Sequence, residues 1–238
     1  MRLKLHFELE NEKMPIQYRK YILSFIKKSL SGYSEEYYKR LYDGNKPIIK
    51  PYTFSVFFEK PKIDNEEIIL AKKYFDLNIA IQDYEIAVAL YNSFNHEKNK
   101  SFLIRNNSWK LTNIIMLPEK NITAESINIK FQSPLVARNR QNQKDYYYSY
   151  TNPEKFLETL KINIREELKI TDIPLETIET FEITPIEPKK VIIKFYEKQI
   201  ETSIGKFNIK GDKRLLEYLY KAGLGSKRSA GFGMFQII

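Results

Sequence analysis

The apolar residues of this chain change their spacing in a set order, and the order runs twice. Leu3, Leu5, Phe7 and Leu9 alternate with Arg2, Lys4, His6 and Glu8, the period of a half-buried strand. Pro15 then opens a helical pattern with Tyr18, Tyr21, Ile22, Phe25, Ile26 and Leu30 on one face. Arg19, Lys20, Lys27 and Lys28 lie on the opposite face, and Gly32 ends the helix. Ser34 can cap a second, short helix that runs to Leu41 or Tyr42. A loop at 43–47 leads to a β-branched and aromatic strand at 52–58. A turn at 61–67 and strands at 68–70 and 74–81 follow. Asp83 starts a helix with Ile86, Val88, Ala89, Leu90 and Phe94 on its apolar face, and strands at 102–104 and 109–117 stop at Pro118. That order, β-α-β-β-α-β, is ferredoxin-like.

The second half repeats it: a strand at 127–131, a helix at 156–168, and strands at 181–186, 191–196 and 203–209. Asp212 caps a helix over 213–222, and 233–238 reads as a closing strand. We therefore expect two α+β modules, residues 1–120 and 121–238, joined near Pro118–Thr123. A chain of 238 residues accommodates two such domains.

Composition narrows the partners. The net charge of +9 favours a polyanion. Cysteine is absent, which excludes disulfides, thiol catalysis and cysteine-ligated metal. The N-terminus alternates charged and apolar residues without an apolar targeting core, and no run reaches the ~18 apolar residues of a membrane span. The expectation is a cytoplasmic protein with no membrane partner.

Four of the eight glycines, Gly223, Gly225, Gly231 and Gly233, bracket Ser226, Lys227, Arg228 and Ser229. Such a loop can present successive backbone N–H groups to a phosphate, with the two cations beside them. A plain glycine-rich hairpin or helix cap is the alternative. Arg138, Arg140 and Lys144 lie in a stretch, 126–144, with no acidic residue, and Tyr146, Tyr147, Tyr148 and Tyr150 follow it. Cations beside aromatics suit single-stranded nucleic acid; a solvated surface loop would look the same. Residues 205–238 carry seven basic against two acidic side chains. Two basic stretches in one half favour the nucleic-acid reading.

Taken together, these segments resemble the CRISPR RNA-processing endoribonucleases, a family of the repeat-associated RNA-binding superfamily. Residues 222–234 are similar to its C-terminal glycine signature, Gly-apolar-Gly, five residues, Gly-apolar-Gly. Tyr52-Thr-Phe-Ser55 resembles its Phe-Thr-x-Ser strand, Ser133-Pro134-Leu-Val136 its Ser-Pro-apolar-apolar segment, and Pro153 to Phe156 its helix start. The resemblance covers nearly the whole chain. It implies an α+β fold of two tandem ferredoxin-like (RRM-like) domains, with antiparallel sheets and helices on one face. It also implies cleavage of CRISPR repeat RNA without metal or other cofactor. In that reaction a 2′-hydroxyl attacks the neighbouring phosphate and leaves a 2′,3′-cyclic phosphate and a 5′-hydroxyl. A CRISPR effector complex and a homodimer are further partners the resemblance leaves open.

The family's usual histidine is replaced. Tyr42 stands in its place, Lys50 matches the family lysine, and Lys27 falls where some members carry tyrosine. An imidazole exchanges protons near neutral pH, whereas tyrosine near 10 and lysine near 10.4 need their pKa shifted (all roughly). The expectation is a slow, metal-independent nuclease using Tyr42, Lys50 and Lys27. A member that binds RNA and no longer cuts is the alternative. His6, on the outward face of the first strand, offers a rescue role or plain surface packing. An unrelated nucleotide binder is disfavoured, because neither a Gly-x-x-x-x-Gly-Lys-Ser/Thr nor a dinucleotide-binding glycine pattern occurs. The RNA-binding set is then Gly223, Gly225, Ser226, Lys227, Arg228, Ser229, Gly231, Gly233, Arg138, Arg140 and Lys144, with no metal ligands.

Overall fold

A computed structural model describes residues 1–44, 48–64, 66–196 and 198–238. Part of the loop expected at 43–47, and one residue of the turn at 61–67, lie outside the described residues. The chain divides into two compact units. The first holds Met1–Pro51 and Ser55–Pro118, and the second holds Tyr52–Phe54 and Glu119–Ile238.

The first unit begins with β1 (Arg2–Leu9) and the short β2 (Lys13–Pro15), then α1 (Tyr18–Tyr33) and α2 (Glu35–Tyr42). It continues with β3 (Tyr52–Phe57), whose first three residues group with the second unit, then β4 (Lys62–Asp64), β5 (Glu67–Ile69), β6 (Tyr74–Ile81), α3 (Tyr84–Glu97), β7 (Ser101–Ile104) and β8 (Asn107–Leu117). The main sheet has the order β3-β6-β1-β8-β7, and β2-β5-β4 form a smaller one. Without β7 the main order is that of a ferredoxin-like sheet. Alternation along β1 decides which face meets the helices. Leu3, Leu5, Phe7 and Leu9 are buried, while Lys4, His6 and Glu8 keep contact with solvent. Phe7 stacks on Phe75 at 4.8 Å and meets Phe25 of α1 edge-on at 5.1 Å. Trp109 closes on Phe75 at 4.9 Å, and Phe25 stacks on Phe94 of α3. Truncating one such ring typically costs about 3–5 kcal/mol.

The second unit runs β9 (Ser126–Phe131), β10 (Ala137–Gln141), β11 (Lys144–Tyr148), α4 (Pro153–Leu168), β12 (Glu182–Phe195), β13 (Lys198–Lys210), α5 (Lys213–Ala222) and β14 (Phe235–Ile237). Its sheet order, β12-β13-β9-β14, is again ferredoxin-like. Phe156, Leu160 and Ile164 of α4 and Leu215, Leu216 and Leu219 of α5 pack on Ile129, Phe131, Phe207 and Ile209 of the sheet.

Several details differ from the sequence expectation, among them the strand β4 within the turn expected at 61–67. Lys13–Pro15 is a strand rather than the opening of α1. The strands expected at 181–186 and 191–196 are one continuous β12. It lies at the sheet edge, where Pro185 and Pro188 need not break the ladder. The basic stretch at 138–144 belongs to a hairpin, with Arg138 opposite Tyr147 and Arg140 opposite Asp145. Asn142 and Gln143 turn it with φ of +47° and +62°. Among the described residues, no helix is long and apolar enough to cross a membrane.

Candidate functional site

In the first unit the three expected catalytic residues come together around one ring. Ser34 caps α2 by accepting a hydrogen bond from the Tyr37 N–H, which fixes where the helix starts. Tyr42 is then the last residue of α2, and the Asp43 N–H closes the turn onto the Lys39 carbonyl at 2.9 Å. Lys27 projects from the exposed side of α1, next to buried Phe25 and Ile26. Lys50 is placed by its neighbour Pro51, whose carbonyl accepts from the Gln82 N–H at 2.8 Å. The ammonium groups of Lys27 and Lys50 lie 5.1 and 5.0 Å from the centre of the Tyr42 ring, within reach for cation–π attraction. Tyr38 leans on the same ring at 5.5 Å.

Two cations at one phenol repel each other. Burial first, and the Lys27 charge second, lower the pKa of the half-buried Lys50. Chemically this places a softened amine, a second ammonium and a phenol on one patch. Arg40, two residues before Tyr42, is committed elsewhere: it pairs with Glu85 at 2.6 Å and Asp83 at 3.0 Å at the start of α3.

His6 takes no part in this patch. Its Nδ1 lies 2.7 Å from Asp76 Oδ1 on β6, and its ring leans on Tyr74 at 5.1 Å. Asp76 lies six residues before Gln82, the residue that fixes Pro51 beside Lys50. At ~3.3 Å per residue, that is about 20 Å along the strand.

In the second unit the glycine loop is built inward. Gly223, Gly225, Gly231 and Gly233 all have positive φ. At Gly233 a Cβ would collide with the Leu224 carbonyl oxygen, and at Gly231 with the Phe54 ring, so only glycine lets these strands of loop touch. The N–H groups of Leu224, Ser226 and Gly233 bond to the carbonyls of Gly233, Val136 and Pro134, and that of Met234 to Ser133 Oγ. The Ser133–Val136 segment therefore occupies amides that the sequence suggested for phosphate. Thr53 completes the loop by donating to the Phe232 carbonyl at 2.7 Å.

Lys227 and Arg228, adjacent in sequence, point to different environments. Arg228 is 5% exposed; its Nε meets Glu167 Oε1 at 3.0 Å and its Nη1 donates to the Ala222 carbonyl at 3.0 Å. Burial pushes the Glu167 carboxyl up to about 8, against the pull of Arg228, and Glu167 Oε2 has no hydrogen-bond partner among the described residues. Arg228 is thus a buried tie between α4 and the loop. Lys227, with φ of +59°, keeps part of its surface and sets its ammonium 5.2 Å from the Phe195 ring centre. Burial first, then the charge of Arg138, lowers its pKa; Asp145 opposes this and Lys198 adds to it.

Arg138 is therefore brought close enough to the loop for its charge to act on Lys227. Asn163 of α4 holds that strand from both sides, accepting from the Arg138 N–H at 3.2 Å and donating to its carbonyl at 2.7 Å. Arg140 and Lys144 lie near the exposed turn of the hairpin, and Ser226 and Ser229 are partly exposed on the loop. Lys198 and Asp145 escaped sequence reasoning. Asp145 lies 3.7 Å from Arg138 and 3.6 Å from Lys198, a pairing between three separate strands that no local pattern signals. Among the described residues, no three His, Asp or Glu side chains gather where they could hold a metal ion.

Comparison with known proteins agrees with this architecture. The family model for CRISPR associated protein Cas6, C-terminal, matches residues 117–237. The CRISPR-associated endoribonuclease Cas6 1 of Methanocaldococcus jannaschii is 27% identical over 251 residues, covering 98% of this chain and 91% of the relative. A solved structure described as a Cas6-related protein from Pyrococcus furiosus superposes with a TM-score of 0.86 at 24% identity, covering 100% of this chain and 98% of the other. Another, described as an RAMP protein binding different RNA substrates, gives 0.84 at 21% identity, with 100% and 99% covered.

Proposed function

The chain belongs to the CRISPR-associated Cas6 family, and from that premise we propose that it binds CRISPR repeat RNA and cuts it without metal. The observation that carries the chemistry is the placing of Lys27 and Lys50 on either count within about 5 Å of the Tyr42 ring. Cleavage requires a base for the 2′-hydroxyl, an acid for the departing 5′-oxygen, and positive charge at the phosphorane. Lys50, with its lowered pKa, is the group that takes the 2′-hydroxyl proton. A bond forms from the 2′-oxygen to phosphorus, and the bond from phosphorus to the 5′-oxygen breaks. The Tyr42 hydroxyl returns a proton to that oxygen, and the Lys27 ammonium faces the developing negative charge. The products are a 2′,3′-cyclic phosphate and a 5′-hydroxyl. Lysine and tyrosine sit further from neutral pH than an imidazole, so the reaction is slow.

Binding is the task of the second unit. Lys227 and Arg138 supply charge beside the glycine loop, Ser226 and Ser229 supply hydroxyls, and Arg140 and Lys144 extend the basic track along the hairpin. Gly223, Gly225, Gly231 and Gly233 hold the loop in shape, and Arg228 anchors it from beneath.

The test is incubation of the protein with repeat RNA in EDTA, beside RNA carrying a 2′-deoxy sugar at the cut. One cut ending in a cyclic phosphate, absent from the deoxy substrate, is expected. Tight binding with no cut would favour the second reading, a guide-RNA binder in which replacement of the histidine by Tyr42 has ended catalysis. Absence of salt-dependent binding would overturn both.

A further inference from the structure

The β12–β13 hairpin turns at Tyr196, whose φ is +53° and whose side chain is 50% exposed. An exposed tyrosine at a turn is ordinary; its surroundings here are not. Its ring meets Phe195 edge-to-face at 4.7 Å, and Phe195 in turn meets Phe232 of the glycine loop at 5.3 Å. Phe232 is fully buried, so the pair of aromatic contacts ties the hairpin tip to the core. Lys227 stands over Phe195, and Arg138 and Lys198 share the Asp145 carboxylate. Lys227 thus stands over half-buried Phe195, the ring that Tyr196 meets, and it feels the charges of Arg138, Lys198 and Asp145.

The carboxylate is held loosely by those cations. Its distances of 3.7 Å to Arg138 and 3.6 Å to Lys198 are beyond hydrogen-bond length, and Tyr147 donates to it at 3.3 Å. A phosphate oxygen offers the same cations the same charge with a second acceptor to spare. An aromatic face beside a cation cluster is the arrangement that holds unstacked bases and their backbone. A base within a duplex has both faces covered by its neighbours, so only an unpaired nucleotide can use such a ring.

Resting on the RNA-binding reading above, we propose that Tyr196, at the end of β12, helps capture one unpaired nucleotide. Its base stacks on Tyr196, and its phosphate takes the place of the Asp145 carboxylate among Lys227, Arg138 and Lys198. Asp145 is then a built-in competitor: it steadies the cations in the free protein and makes any weakly bound polyanion displace it first.

The experiment uses the full chain and CRISPR repeat RNA carrying 2-aminopurine at each unpaired position in turn. Quenching on binding is expected at one position. Tyr196→Ala should relieve that quenching and weaken binding roughly tenfold, and Tyr196→Trp should retain both. Asp145→Asn should tighten binding several-fold and admit unrelated RNA. If Tyr196→Ala leaves affinity and quenching as they were while the wild-type protein binds RNA, the nucleotide site is overturned and the RNA-binding reading stands. If wild-type protein does not bind the RNA, the reading itself falls. If Asp145→Asn weakens binding, the exchange of carboxylate for phosphate is wrong, and Asp145 serves to organise the cations.

Discussion

Lys50 in the first unit and Lys227 in the second have much in common. Each sets its ammonium about 5 Å from an aromatic ring, Tyr42 in one case and Phe195 in the other. Each has its pKa lowered by burial, and each has a second cation, Lys27 or Arg138, lowering it further. They part at the next neighbour. Asp145 pulls Lys227 back toward its charged form, whereas among the described residues the charge acting on Lys50 is that of Lys27. The difference teaches how one residue type is turned to two tasks. On the proposed function, the lysine that binds phosphate keeps its proton with the help of a carboxylate, and the lysine that accepts a proton is pressed to give its own away.

If this contrast is right, the largest effects belong to Lys50. Both Lys50→Ala and Lys50→Arg should slow cleavage about 10²–10⁴-fold in single-turnover assays, with RNA affinity nearly unchanged. Arginine keeps the charge but cannot act as base, so an active Lys50→Arg enzyme would break the comparison. Next comes Arg228→Ala, which should cost about 3 kcal/mol in urea unfolding, the low end for breaking a buried pair because Glu167 can take up a proton. The folded pKa of Glu167 lies above its unfolded value. From about 4.5 to 8 the native state therefore holds the extra proton, and stability falls as pH rises through that window. Glu167→Gln should flatten that slope, measured as unfolding midpoint against pH.

Smaller effects sharpen the contrast. Tyr42→His should raise the cleavage rate at neutral pH by roughly tenfold, since an imidazole titrates there. Lys227→Ala should weaken RNA binding several-fold and reduce the slope of log affinity against log salt by about one. Its cleavage rate at saturating RNA should match wild type, the reverse of the Lys50 pattern. Lys27→Met should slow cleavage by removing positive charge at the phosphorane, and it should also move the pH profile. Without the Lys27 charge the Lys50 pKa rises toward its ordinary value, and the rising limb of the pH–rate profile moves to higher pH.

What could be read from the residues alone follows the range of the forces involved. Helix caps act over three residues, and Ser34, Asp83 and Asp212 each cap the helix they precede. The alternation in β1 and the helical face of α1 are equally local, and their order specified both ferredoxin-like units. Lys27, Tyr42 and Lys50 needed α1, α2 and the start of β3 to meet, which resemblance suggested and spacing could not. The β10–β11 hairpin left no signal, because its turn is Asn142-Gln143 without glycine and its strands are nearly all polar. Arg228 was the most misleading residue. A cation in a glycine-rich loop reads as exposed, and its partner Glu167 is 61 positions earlier on another element.

Thr53 and Phe232, joined by a hydrogen bond, are 179 residues apart in the chain. Tyr52–Phe54 group with the second unit although the residues on both sides group with the first. During synthesis at ~5–20 residues per second, this short segment waits roughly 10–40 s for its loop to appear. The loop that binds phosphate in our reading is thus among the last parts of the protein to form. A chain cut at Pro118 would give a second half lacking three residues of its own interior.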